Sequence, residues 1–126
     1  MFSEEPVAQF TARAGGGLHV AIDAGQLRGH TAGDVKLERE LLTLFRREAR
    51  GLMTRFEVVT DPAARAELAH KLRGSALAIG AGRVAMAAGA IEKAARAGEP
   101  LGRVLAELAE ALAEVNAAIE LRTADR

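Results

Sequence analysis

From Asp34 onward the apolar residues of this chain fall into a helical rhythm. Leu37, Leu41, Leu44, Phe45, Leu52, Phe56 and Val59 recur at steps of three, four and seven and so draw one stripe along a helix. Arg39, Arg46, Arg47, Glu48 and Arg55 take the other faces, and the helix is expected to stop near Thr60. Asp61 then offers an N-cap and Pro62 a first helical position, where its missing N–H is no loss. The helix they start runs through Leu68, Leu72, Ala76 and Ile79 to a break at Gly80-Ala81-Gly82. A further segment, Arg83 to Ala97, carries Val84, Ala87, Ala90, Ile91 and Ala94 inward, with Gly98 as its C-terminal cap. Pro100 opens a last helix, in which Leu101, Leu105, Leu108, Leu112, Val115 and Ile119 step by four and three, the spacing of bundle packing. Four long helices with short connections imply antiparallel neighbours. The expected fold is therefore all-α, an up-down-up-down antiparallel four-helix bundle.

Before Asp34 the pattern is less regular. Pro6 to Ala14 reads as one short helix with Val7 and Phe10 on one side, ended by the flexible joint Gly15-Gly16-Gly17. Leu18 to Ile22 is apolar but too short to assign, and Asp23 caps a single helical turn through Leu27. Gly25, Gly29 and Gly33 keep the region loose. The expected division is an N-terminal extension over residues 1–17, with a short helix, and a bundle over 18–126.

Composition narrows the function. The length of 126 residues suits one domain with one core. With 17 basic and 17 acidic residues there is no net field to attract nucleic acid or an anionic membrane, so a partner surface must be local. Four Phe without Trp or Tyr are poor material for base stacking. The absence of Cys excludes disulfides, thiolate nucleophiles and zinc–cysteine sites. No apolar run approaches the ~20 residues that span a bilayer, and the acidic Met1-Phe2-Ser3-Glu4-Glu5-Pro6 start is unlike a secretory signal. A soluble cytoplasmic protein is expected.

The chemistry concentrates in Ala69-His70-Lys71-Leu72-Arg73-Gly74-Ser75. Leu68, Leu72, Ala76 and Ile79 hold the inner stripe, and His70 lies about 200° around the helix from Leu68 or Leu72, so it points outward or to the stripe's margin. Arg73 and Gly74, three and four residues on, share its face. A neutral imidazole is nucleophilic near pH 7, the ordinary value for this side chain being ~6.5. Arg73 can balance the oxygens of a phosphoryl group arriving on His70, and Lys71 adds positive charge at the flank. Gly74 costs about 1 kcal/mol against Ala inside a helix, but its missing side chain lets a partner approach the ring. Ser75 reads as a small residue at the contact face rather than as a nucleophile, since no acid–base pair stands beside it. A lone helical histidine is ordinarily just a surface residue; these neighbours set His70 apart. Gly51 and Gly89 read as close-packing positions, and Glu38, Glu40 and Glu48 as a solvated helix face. His19 and His30 lack metal-ligand spacing with His70, and no metal site is expected.

His70-Lys71-Leu72-Arg73-Gly74-Ser75, with Gly80 ten residues after the histidine, resembles the signature of histidine-containing phosphotransfer (HPt) domains. There the histidine is followed at plus three by a basic residue, usually Lys, then by Gly and a small residue. Ile22-Asp23, Gly33-Asp34, Glu40-Leu41-Leu42-Thr43-Leu44-Phe45 and Ala90-Ile91-Glu92 extend the resemblance from roughly Leu18 to Arg122. It implies that His70 is phosphorylated on its outer ring nitrogen, that Arg73 replaces the usual lysine with a planar fork, and that Gly74 gives clearance. Glu92 falls where some members carry a polar residue that hydrogen-bonds the inner ring nitrogen.

The function so implied is a phosphorelay intermediate of two-component signalling. It accepts a phosphoryl group from a receiver domain's phospho-aspartate and passes it to another receiver, with a hybrid histidine kinase upstream. Mg²⁺ is expected in the partner receiver and no cofactor in this chain, which lacks a carboxylate cluster beside His70. Gly15-Gly16-Gly17 precedes Leu-His and is no phosphate cradle, so no ATP site is expected. The competing reading is a helical adaptor that binds a receiver or kinase without transfer. A dimeric phosphotransfer protein resembling a kinase core needs a second domain for which the length leaves little room, so a monomer is expected.

Overall fold

A computed structural model describes residues 9–14 and 17–124 of the chain. Strands β1 (Gln9–Ala14) and β2 (Gly17–Asp23) form an antiparallel hairpin. Five helices follow: α1 (Ala24–Thr31), α2 (Val35–Val58), α3 (Pro62–Ile79), α4 (Gly82–Arg96) and α5 (Gly102–Ala124). The four long ones form a helical bundle. α3 packs most extensively on α4, α4 on α5 and α2 on α3, while α2 and α5 touch more sparingly. None of the described helices is long and apolar enough to cross a membrane.

The helical bundle agrees with the expected class, and the hairpin beside it corrects one expectation, the N-terminal helix. Over Gln9–Ala14, the part of Pro6–Ala14 that is described, the chain is a strand. Its partner is the segment left unassigned, with Gln9 opposite Asp23 and Ala14 opposite Gly17. The pattern that favours this is the alternation of Leu18, Val20 and Ile22, which a helical period does not produce. The first two residues of the expected glycine joint, Gly15 and Gly16, lie outside the described residues, and Gly17 opens β2. The hairpin rests on α5, and Ala21 and Ile22 are buried in the common core.

Helix boundaries follow the capping chemistry. Asp23, Asp34 and Asp61 each adopt extended backbone and accept a hydrogen bond from the amide three residues on, those of Gln26, Leu37 and Ala64. Asp23 thus caps a helix longer than the single turn expected. Gly80 ends α3 in the left-handed region at φ 77°, with Ala81 N–H bonding Ala76 carbonyl and Gly80 N–H bonding Leu77 carbonyl, the paired bonds of a Schellman turn. Gly98 ends α4 in the same way, through Glu99 to Ala94 and Gly98 to Ala95. Pro100 lies two residues ahead of α5 rather than inside its first turn.

The buried face of α2 is rotated from the expected stripe. Leu42, Phe45, Ala49, Leu52 and Phe56 are buried, whereas Leu37 and Leu44 are exposed. This set steps by three and four without interruption, and Glu38 occupies its first position. Glu38 is buried and accepts two hydrogen bonds from Arg122 of α5, one from Nε at 3.1 Å. It is therefore no part of a solvated face. A purely apolar count passes over Ala49 and Glu38 and so chooses the wrong leucines. In α4 the correction is similar: Val84, Ala85, Ala88, Ile91, Ala94 and Ala95 are buried, while Ala90 is exposed.

Candidate functional site

α3 mixes alanines with larger aliphatic residues on its inner side. Ala66, Leu68, Ala69, Leu72, Ala76 and Ile79 are buried, and they face Ala85, Ala88, Ile91 and Ala95 of α4. Alanines on both sides let the two helices lie close. A side chain on the margin of one can then reach the margin of the other, and His70 and Glu92 meet there.

The His70 side chain is 67% exposed, and its Nδ1 lies 3.3 Å from Glu92 Oε2 and 3.4 Å from Oε1. Both distances are at the long end for hydrogen bonding. An ionised carboxylate only accepts, so a hydrogen bond here needs the proton on Nδ1, and a neutral ring bonded in this way keeps its lone pair on Nε2. The contact therefore orients the ring with Nδ1 toward α4. Glu92 is itself held by Arg96, one turn on, at 3.3 Å. Partial burial pushes the Glu92 carboxyl up, but hydrogen bonds from Arg96 and His70, with the charges of both, outweigh it and hold the group below its ordinary 4.5.

A group depressed in the folded state stabilises above its unfolded value and loses that contribution as pH falls through the folded one. The denaturation midpoints of the wild type and Glu92→Gln should accordingly differ just above pH 4.5, where both His70 and Arg96 are charged, and converge below it. The gap should correspond to less than about 1 kcal/mol, as befits a pair near the surface. A gap persisting unchanged at pH 3 would contradict this account.

The other expected site residues are distributed unevenly. Lys71, Arg73 and Gly74 are exposed on α3. A Cβ built on Gly74 would meet nothing within 4 Å, so no packing within this chain demands glycine there. The Arg73 side chain passes over Gly89 of α4, its Cδ and Nε 3.7 Å from where a Cβ would stand. Gly89 is thus covered by a side chain of the site rather than by a close helix backbone. Gly51 has open space around it, and helix packing does not explain it. Ser75 turns to the other flank, where its hydroxyl donates to Glu48 Oε1 of α2 at 2.8 Å. The structure brings His70 and Glu92 together with Arg73 and Gly74 on one face, and it leaves Ser75 outside that group.

Arg96, absent from the sequence reading, and Gly89, which reads there as a close-packing position, belong to this neighbourhood. The spacing of Glu92 and Arg96, four apart on a helix, was a usable signal; the passage of Arg73 over Gly89 depends on how two helices lie and has no signal in either. His30 is exposed on α1. Among the described residues no three His, Asp or Glu are grouped to hold a metal ion.

The arrangement offers an oriented, solvent-facing imidazole nitrogen with a guanidinium one turn away and open space beside it. That suits reversible transfer of a small anionic group. A family model described as Hpt domain matches residues 40–118. No curated protein matches the chain, and no solved structure does.

Proposed function

The chain belongs to the Hpt domain family, whose members carry out histidine phosphotransfer in phosphorelays, and from that premise we propose that His70 is its phosphoacceptor, fed by the phospho-aspartate of one receiver domain and discharged to another. The observation that carries this reading is the contact between His70 Nδ1 and Glu92, which leaves Nε2 as the free nucleophile on an exposed ring. In the forward step the Nε2 lone pair attacks phosphorus in line. The bond from phosphorus to the aspartyl oxygen breaks, and the carboxylate leaves with that electron pair. The ring keeps its Nδ1 proton and gains a positive charge, which the Glu92 carboxylate balances. Discharge to the next aspartate reverses these movements.

Arg73, and Lys71 at the flank, supply charge for the phosphoryl oxygens. Mg²⁺ is assigned to the receiver, whose phosphoryl group it would neutralise before transfer. Leu77, one turn beyond Arg73 and Gly74 on the same side of α3, is a large apolar residue left 46% exposed, and it offers the docking receiver an apolar contact. The bundle is taken as up-down-up-down, which its connections of three, two and five residues support.

The decisive experiment incubates the chain with a receiver domain labelled on its aspartyl phosphate. Label should pass to this chain within minutes as an acid-labile, base-stable adduct. A stable complex without passage of label would make the protein an adaptor and overturn the proposal.

A further inference from the structure

We propose that the groove between α2 and α5 binds a compact oxyanion of the phosphate class through Arg46, Arg47, Arg50 and Thr43, on the side of the bundle opposite His70. The groove has a volume of about 300 Å³ and is lined by these four residues with Ile119 and Thr123. Among the described residues, none of the three guanidinium groups has a carboxylate partner. No Asp or Glu among the described residues lines the groove.

Three like charges at positions i, i+1 and i+4 of one helix repel each other, so an unpaired cluster is locally unfavourable even in a chain whose total charge balances. Carboxylates of α2 lie near it but form no ion pair with it among the described residues. Glu38 is committed to Arg122 and Glu48 to the Ser75 hydroxyl. Arg46 is half-buried, which strengthens its attraction for an anion, and Ile119 beneath is fully buried. Planar guanidinium forks match tetrahedral oxyanions better than ammonium groups do. The Thr43 hydroxyl makes no other hydrogen bond and can donate, whereas the Thr123 hydroxyl is turned to the Ile119 carbonyl at 2.9 Å.

The surroundings limit the size of the ligand. One adjoining depression shares Arg46 and Arg50 with the groove but contains Glu57, and another shares Thr43 and Arg47 but contains Glu40. An extended polyanion would run against these carboxylates, and a compact one would not. α2 packs on α3 and α5, and α4 packs on the same two. The α2–α5 groove and the α3–α4 margin holding His70 are therefore opposite edges of the bundle, and an occupant of one leaves the other open. This inference does not depend on phosphotransfer at His70.

The test titrates the full chain with inorganic phosphate and, separately, with a nucleoside monophosphate at low ionic strength, following amide shifts by NMR. Saturable shifts centred on Thr43, Arg46, Arg47 and Arg50, with His70 and Glu92 unmoved, are expected. The stronger of the two titrations identifies whether free phosphate or its ester is preferred. Affinity for the nucleoside monophosphate should rise between pH 5.5 and 7.5 as its ester phosphate becomes dianionic, the second ionisation of such esters lying near ~6. Arg47→Gln/Arg50→Gln, at two exposed positions, should weaken binding at least tenfold with an unchanged melting temperature, and His70→Gln should bind as the wild type does. No saturation by about 10 mM, the range of the weakest specific sites, would overturn the proposal. So would shifts centred on α3 and α4, or binding confined to an acidic polypeptide such as polyglutamate.

Discussion

His70→Gln is expected to accept no label from a phosphorylated receiver, a loss of at least about 10³-fold, the scale on which removal of an attacking group is felt. Glutamine keeps a polar side chain of similar reach but has no basic nitrogen to form the bond to phosphorus. The stability of the variant should stay within about 0.5 kcal/mol of the wild type, as is usual for an exposed position away from caps and core. His70 is 67% exposed, and its recorded side-chain partner is Glu92. Neighbouring groups offer no replacement. Lys71 and Arg73 are cationic near neutral pH and hold no free lone pair, and Ser75 is bonded to Glu48 on the far flank. Receiver-to-HPt transfer assays read the chemistry, and thermal melts followed by circular dichroism read the fold. Label retained by a folded His70→Gln protein would place the acceptor elsewhere.

Gly80→Ala should be the most damaging single methyl addition in the bundle, lowering stability by about 3 kcal/mol. Two effects combine. Residue 80 sits at φ 77°, where an L side chain adds roughly 1–2 kcal/mol of strain. A Cβ would also stand 2.6 Å from the Asp23 carbonyl oxygen and 3.1 Å from its nitrogen, so backbone must move. The movement would break the hydrogen bond from Asp23 N–H to the Gly80 carbonyl, 2.8 Å long. That bond ties the end of β2 and the cap of α1 to the end of the helix that carries His70. For a domain of this size the melting temperature should fall by about 10 °C. Gly33→Ala, also at positive φ but in open space, should cost about a third as much, by isolating the strain from the collision. Equal losses in the two variants would show that the close approach contributes nothing.

The resemblance at the site was legible because it is local: His70, Arg73 and Gly74 are one helical turn apart, and a sequence displays such neighbours directly. Helix ends were legible for the same reason, as Asp34, Asp61, Gly80 and Gly98 carry their own backbone chemistry. The failures share a different cause. Glu38 lies in the buried stripe of α2 because Arg122, 84 positions away, reaches it. No window along the chain contains both. β1 depends on β2 for every ladder bond, and its six residues carry a weak alternation that a helical period can imitate. The contact of His70 with Glu92 spans 22 positions and was suggested by family resemblance, not by spacing.

The empty space at Gly74 sets stability against function. A methyl group there would meet nothing in this chain and would raise helix propensity by about 1 kcal/mol. A population of variants selected for heat resistance alone would therefore drift toward alanine at this position. On the proposed docking at this face, the same methyl would stand on the imidazole's side of the helix and hold an incoming receiver away. Selection on relay output would bring the glycine back, so the residue at position 74 reports which pressure a lineage has felt.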